Sequence, residues 1–264
     1  MIKRNILHRL FAMELKRAFY NRNFFLTIVL MVLMEIVSSS LIFTNIAFGV
    51  DEILDNLFSG TGSATVLLML FPLLPYAISY AKDMEDGALD YYMVRTDIHT
   101  FLSVRFIVAV FSAFACVVIS FVIFSTLLYC MGHPITNGVS SGDGEGYNQF
   151  LGSEPFLYFL CYSVDRGMSA AMMAASAVFL SVLYSNSFFA FTAPVCLYFL
   201  SVRLVFPNEV NRLWLHPDSW IEGVYNSAYG GFATLFYKTG VMVTVCLVYE
   251  VFALIIAKRR WHYA

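Results

Sequence analysis

The residues able to do chemistry in this chain are few, and none falls into a catalytic pattern. Two carboxylates sit inside apolar stretches: Glu35, followed by Ser38, Ser39 and Ser40, and Glu250. A charge at mid-bilayer costs at least about 2.5–3.5 kcal/mol, so Glu35 has to face protein or water. Two readings stand for it. With Ser38 and Ser39 it continues a polar stripe, as part of a translocation path or a helix contact; or it is a protonated carboxyl bonded to a neighbouring helix. Glu250 reads as structural, pairing across helices or reaching for the membrane edge. Asp165 and Arg166, with Arg203 further on, stand at the ends of apolar runs and read as interfacial groups open to ion pairing. The five histidines (His8, His99, His133, His216, His262) are scattered over termini and loops, with no two spaced to share a metal. The five cysteines (Cys116, Cys130, Cys161, Cys196, Cys246) lie in or beside apolar stretches and form no CxxC pair. They read as buried small hydrophobes rather than a disulfide or metal set. There is no GxxxxGK(S/T) phosphate loop, no HExxH and no GxSxG elbow. The run Gly142-Asp143-Gly144-Glu145-Gly146 lacks EF-hand spacing and reads as a flexible loop. No enzyme activity, metal or cofactor is expected in this chain.

The medium around these groups follows from composition. Of 264 residues 59% are apolar, 17% aromatic and only 13% charged, and the mean hydropathy is +0.72. A soluble domain is about 45–50% apolar and about 25% charged, so an ordinary soluble enzyme, a disulfide scaffold and a disordered chain are excluded. A bilayer core of about 30 Å needs about 20 apolar residues per helix. Six such runs are present, at 24–48, 64–81, 106–131, 167–184, 188–206 and 240–257, the fourth with a helical lead-in from Pro155. Backbone polar groups must be paired in lipid, and the runs lack the alternation of barrel strands, so helices are expected. The first run is long and has no small-x-small cleavage site, which reads as a retained helix rather than a removed signal. The expected fold is therefore an all-α integral membrane protein forming a single transmembrane domain. In the second run Pro72 and Pro75 should bend the helix. In the fourth, Gly167, Ala171 and Ala175 make a small-x-x-x-small row, at which another helix can approach closely. No internal repeat supports an inverted-repeat transporter.

Orientation follows from the cations. Twelve of the sixteen Lys and Arg fall in 1–23, in 82–105 or after 257. That places both termini and the 82–105 loop on the cytoplasmic side of the plasma membrane. The opposite loops are acidic, with Asp51, Glu52 and Asp55, then Asp143, Glu145 and Glu154. Within 1–23, Leu7, Phe11, Leu15 and Ala18 share one face, with Arg9 and Lys16 opposite and Arg17 beside them. This is the pattern of an amphipathic helix lying on the bilayer, its cations against anionic headgroups. The outer segment 207–239 is rich in Trp and Tyr, as in an interfacial aromatic belt or short helices resting there. The net charge of −2 gives no reason to expect nucleic acid.

The 82–105 loop carries the most information. It begins Lys82-Asp83-Met84-Glu85-Asp86-Gly87-Ala88-Leu89-Asp90-Tyr91-Tyr92-Met93-Val94-Arg95 and runs through Thr96 and Asp97 to Arg105. Gly87 interrupts a helix, and Thr96 or Asp97 can cap the next. A helix of about seven residues fits between, with Leu89, Tyr92 and Met93 available for burial. Read from the residues alone, this is a connecting loop or a docking knob.

The loop resembles the coupling loop of permease subunits in type-2 ABC exporters. Asp83, Glu85 and Gly87 match its acidic-glycine part. Ala88 stands for the usual Thr, Arg105 for a common Lys, and the usual Pro-Ser-Arg turn is missing. The N-terminal basic elbow, Met13-Glu14-Leu15-Lys16-Arg17-Ala18-Phe19-Tyr20, the six runs and the basic C-terminus resemble the same family in layout. The resemblance implies a permease that works as a dimer with a second copy or a paralogue, in the lipid bilayer. Each subunit would dock on a separate cytoplasmic ABC ATPase, which holds ATP and Mg. ATP-driven closure would push on Asp83, Glu85, Gly87, Leu89, Tyr92 and Arg95 and on the elbow. Alternating access would then move a peptide, drug or lipid-like amphiphile outward. A membrane-embedded enzyme and an ATP-independent secondary transporter are the alternatives.

Overall fold

The computed structural model describes residues 2–40, 48–58, 63–89, 91, 96–135, 147–150, 154–204 and 230–262, and every regular element among them is helical. In chain order these are α1 (Ile2–Phe19), α2 (Arg22–Ser38), α3 (Val50–Phe58), α4 (Ser63–Leu70), α5 (Ser79–Glu85), α6 (Ile98–Cys130), α7 (Pro155–Leu183), α8 (Ser187–Leu204) and α9 (Gly231–His262). Single 3₁₀ turns lie at Phe71–Leu73 and Asn148–Phe150.

Helix α7 is the hub. Its widest contacts are with α6, then α9 and α8, and its residues 169–178 are buried without a break. That run is Ser, Ala and Met with a single Val, small or pliable side chains that let neighbours close in from several directions. At Gly167 an added Cβ would stand 2.8 Å from the Phe114 ring of α6, so the glycine seats that ring. Ala171 and Ala175 are wholly buried on the same row.

Helices α6, α7 and residues 231–260 of α9 are long and apolar enough to cross a bilayer. Helices α1 and α2 meet at a bend of 45° and make a fourth crossing if the pair spans as one. The apolar part of α8, Ser187–Ser201, is shorter. Large apolar side chains face outward along α6 (Ile107, Phe111, Val122) and α9 (Leu247, Val251, Phe252). A surface of this kind suits hydrocarbon rather than water.

Several boundaries differ from those read in the sequence. The run 64–81 is broken into α4, a 3₁₀ turn at Pro72, further turns over 74–78, and α5. A proline lacks the N–H and its ring crowds the preceding turn, so two prolines three residues apart end the helix instead of bending it. The acidic loop after the first run holds α3. Its Val50, Ile53, Leu54 and Leu57 are buried at helical spacing, and Tyr162 of α7 donates to the Leu54 carbonyl at 3.0 Å. Residues 231–239, read as outer loop, are the first turns of α9. The thiols Cys116, Cys161 and Cys246 are buried, but Cys130 and Cys196 face outward. Most of the outer segment, 207–229, and the Gly-rich loop 136–146 lie outside the described residues.

Candidate functional site

Five side chains from separate parts of the chain meet where α1 and α5 end and α6 begins. Of the Leu7, Phe11, Leu15 and Ala18 face, Leu7 and Phe11 are exposed and Ala18 is buried; helix α1 packs on the other helices by Leu10, Glu14 and Ala18. Glu14 is fully buried and accepts from the Tyr76 hydroxyl at 2.7 Å and from Arg105 at 3.4 Å. Asp83, on α5, takes both Arg17 guanidinium nitrogens in a fork, at 2.7 and 2.8 Å. Its Oδ2 also accepts from Arg105 Nη2. The Arg105 guanidinium in turn lies over the Phe101 ring, 4.4 Å from its centroid.

Two acids thus face two arginines, with Glu14, Asp83 and Arg105 shut away from water and Arg17 at the rim. A planar fork on a carboxylate is the strongest geometry available to such a pair. A buried ion pair survives only when its members are answered by partners, as here. Burial pushes the Asp83 carboxyl up, but the Arg17 hydrogen bond and the Arg105 charge outweigh it and hold it below the usual carboxylate range. The same hydrogen bond to Asp83 raises Arg17, keeping it charged at any working pH.

The polypeptide leaves this cluster through a fixed turn. The Ala88 N–H bonds the Asp83 carbonyl at 2.9 Å and the Gly87 N–H the Met84 carbonyl at 3.2 Å, with Gly87 at φ +67°. This is a glycine-terminated helix end of the Schellman kind, and it starts the 86–97 loop at a set angle. Leu89 is buried and Tyr91 is 80% exposed, while Tyr92 and Arg95 lie outside the described residues. Asp97, one of the two residues expected to cap α6, stands at its N-cap position with extended backbone, but its side chain makes no capping bond. Glu85 turns away from Asp83 and accepts from the Ser187 N–H at 2.8 Å, capping α8. Arg260, at the end of α9, donates to the Val182 carbonyl at the end of α7, at 2.8 Å. The ends of α1, α5, α7 and α9 and the beginnings of α6 and α8 are tied together at this basic pole. Arg9 and Lys16 are exposed on the outer side of α1.

The remaining sequence-selected residues fall elsewhere. Glu35 is buried against α6, where the Ser120 hydroxyl lies 3.4 Å from its Oε1. Ser39 does not extend a polar stripe: its hydroxyl bonds back to the Glu35 carbonyl at 2.7 Å, and Ser38 is exposed. Asp165 and Arg166 are not at an exposed interface. Both are buried well inside α7, and Asp165 pairs with Lys238 of α9 at 2.8 Å. Arg166 lies against Tyr162, its guanidinium 5.0 Å from the ring centroid. The Arg203 side chain is outside the described residues. Glu14, Tyr76 and Lys238 were not singled out in the sequence. The signal available for Lys238 was its place seven residues into a helix that begins earlier than the hydropathy shows. Among the described residues no group of three His, Cys, Asp or Glu could hold a metal ion. Comparison with protein-family models, with curated proteins and with solved structures finds no match to this chain.

Proposed function

We propose that this chain is the membrane subunit of an ATP-driven exporter resembling the type-2 ABC permeases. It crosses the cytoplasmic membrane six times, with both termini inside. The crossings are α2, the broken run 64–81, then α6, α7, α8 and α9. The observation that carries the proposal is the Glu14–Arg17–Asp83–Arg105 cluster. It fastens the elbow α1 to α5 and to the beginning of α6.

A partner ATPase that moves this loop or the elbow would move α1, α5 and α6 together, because the cluster joins them. Buried charge pairs favour discrete arrangements, since an intermediate position leaves a charge unanswered. Coupling between the ATPase and the path needs two states with different contacts, and a cluster of this kind can supply them. Asp83 and Glu85 act here as braces of the loop, held by Arg17, Arg105 and Ser187, rather than as groups offered to the partner. ATP and Mg belong to the partner chain. The exported substrate is a peptide, drug or lipid-like amphiphile, and the path forms against a second copy or a paralogue.

The test is ATP-driven efflux from vesicles carrying the chain with its ATPase. Replacing Gly87 with Trp, or reversing the charge at Glu85, should abolish efflux while the chain stays in the membrane. Full efflux in both variants would remove the coupling role from this loop.

A further inference from the structure

Glu35 is a buried acid outside the charge cluster. It is 1% exposed, on the face of α2 that packs against α6. Glu14, Asp83 and Asp165 each meet a cation. No cation meets Glu35 among the described residues, and its Oε2 is buried without a hydrogen-bond partner. From α6 it is faced by Ser120 and, one turn earlier, by the buried Cys116 thiol. Helix α4 and the 3₁₀ turn at Phe71–Leu73, which also pack on α2, carry no ionisable side chain. Arg22 lies about 20 Å away along α2 itself, and Arg105 about 22 Å from Ser120 along α6. A carboxylate here would be an unanswered charge in an apolar contact, which is strongly disfavoured.

The hydrogen bonds locate a proton on this acid. The Ser120 hydroxyl has two acceptors within reach, the Val117 carbonyl at 2.9 Å and Glu35 Oε1 at 3.4 Å. A hydroxyl carries one proton, and the shorter contact takes it. That leaves Ser120 Oγ as an acceptor towards Glu35. Two acceptors cannot share a hydrogen bond without a proton, so the donor between them is the carboxyl O–H.

We propose that the α2–α6 contact is a proton-binding site. Glu35 holds the proton as a neutral carboxylic acid and donates it to Ser120 Oγ, in a chain that ends on the Val117 carbonyl. The proton latches α2 to α6. On release the O–H bond breaks, its electron pair stays on the carboxylate and the proton passes to water. The carboxylate then needs hydration, and α2 must part from α6 to admit it. The site goes beyond the exporter reading and does not rest on it. Its test needs neither ATP nor a partner, so either proposal can fail without the other.

The test uses the purified chain in nanodiscs of zwitterionic lipid, with its glutamates carbon-13-labelled at the side-chain carboxyl. At pH 7 the wild-type minus Glu35→Gln infrared spectrum should hold the carbonyl stretch of one neutral carboxylic acid, displaced by the label. Ser120→Ala should keep that band and move it to higher frequency, because the O–H loses its acceptor. As pH is raised, the band and the slow amide exchange of α2 residues 31–38 should be lost together. Once the band has gone, those amides should exchange at least about tenfold faster in wild type than in Glu35→Gln at the same pH, the scale of one buried polar group left unanswered. The glutamine keeps a donor towards Ser120 and cannot ionise. Four outcomes overturn the proposal: a carboxylate band at pH 7 in place of the acid, an acid band indifferent to Ser120→Ala, an acid band that stays until the chain unfolds, or equal exchange in wild type and Glu35→Gln.

Discussion

At the scale of the residue, the two arginines of the cluster are not equivalent. Arg105 is 1% exposed along its side chain and Arg17 39%, so the Arg105 pair carries most of the energy at stake. Asp83→Asn removes one of the two anions facing Arg105 and leaves Glu14 at 3.4 Å. The expected loss is about 3 kcal/mol, the low end for breaking a buried pair, read as a lower melting midpoint in detergent. The pH dependence has a definite sign. An acid held below its ordinary value stabilises the fold above its unfolded-state pKa and ceases to do so as pH falls through the lowered one. For Asp83 the contribution should be complete at neutral pH and fade below about pH 4. Melting midpoints measured from pH 7 to pH 3 should show that acid limb flattened in Asp83→Asn. The sequence showed Arg17 and Asp83 as separate members of an elbow and a loop. Their pairing was not legible, because they lie 66 residues apart and no periodicity relates side chains across helices. Glu14 is hidden for another reason: in a surface helix a glutamate belongs on the wet face, and its burial rests on Tyr76 and Arg105, with Arg17 at 3.9 Å.

At the scale of the element, hydropathy fixed the existence of the long helices but not their ends or breaks. The α3 helix was legible, since Val50, Ile53, Leu54 and Leu57 follow helical spacing, yet its charges masked it as a loop. The prolines of the second run were legible as a disturbance, but whether such a helix bends or breaks is settled by its neighbours. The packing row on α7 is visible as a row of small residues, while the Phe114 ring that meets it at Gly167 required the fold. Gly167→Ala should therefore lower stability by about 1–3 kcal/mol through overpacking against that ring. Phe114→Leu should relieve it, so the double variant should be more stable than the two single effects predict; additive losses in thermal unfolding would disprove the contact. Gly87→Ala meets nothing within 4 Å but must hold φ +67°. It should cost about 1–2 kcal/mol for the left-handed backbone alone. The effect belongs to the angle at which the loop leaves α5, so efflux should suffer more than folding.

At the scale of the whole molecule, the scarce charges divide the structure into poles. One pole gathers the basic ends of α1, α6 and α9, and the other holds the end of α6, the start of α7 and the Asp165–Lys238 pair. Impermeant maleimide applied to intact cells should leave a cysteine at Tyr91 unlabelled and react with one at Ile135, both of which are exposed. Labelling of the first and protection of the second would invert the topology and undo the six-crossing scheme. In the exporter proposed above, the work is done by another chain. The most direct measurement is to purify the tagged chain from its own cell membranes in mild detergent and identify what accompanies it. An ABC ATPase should co-purify in equimolar amount, and the complex should hydrolyse ATP. A chain recovered without any ATPase, from a cell that encodes none beside its gene, would contradict the account.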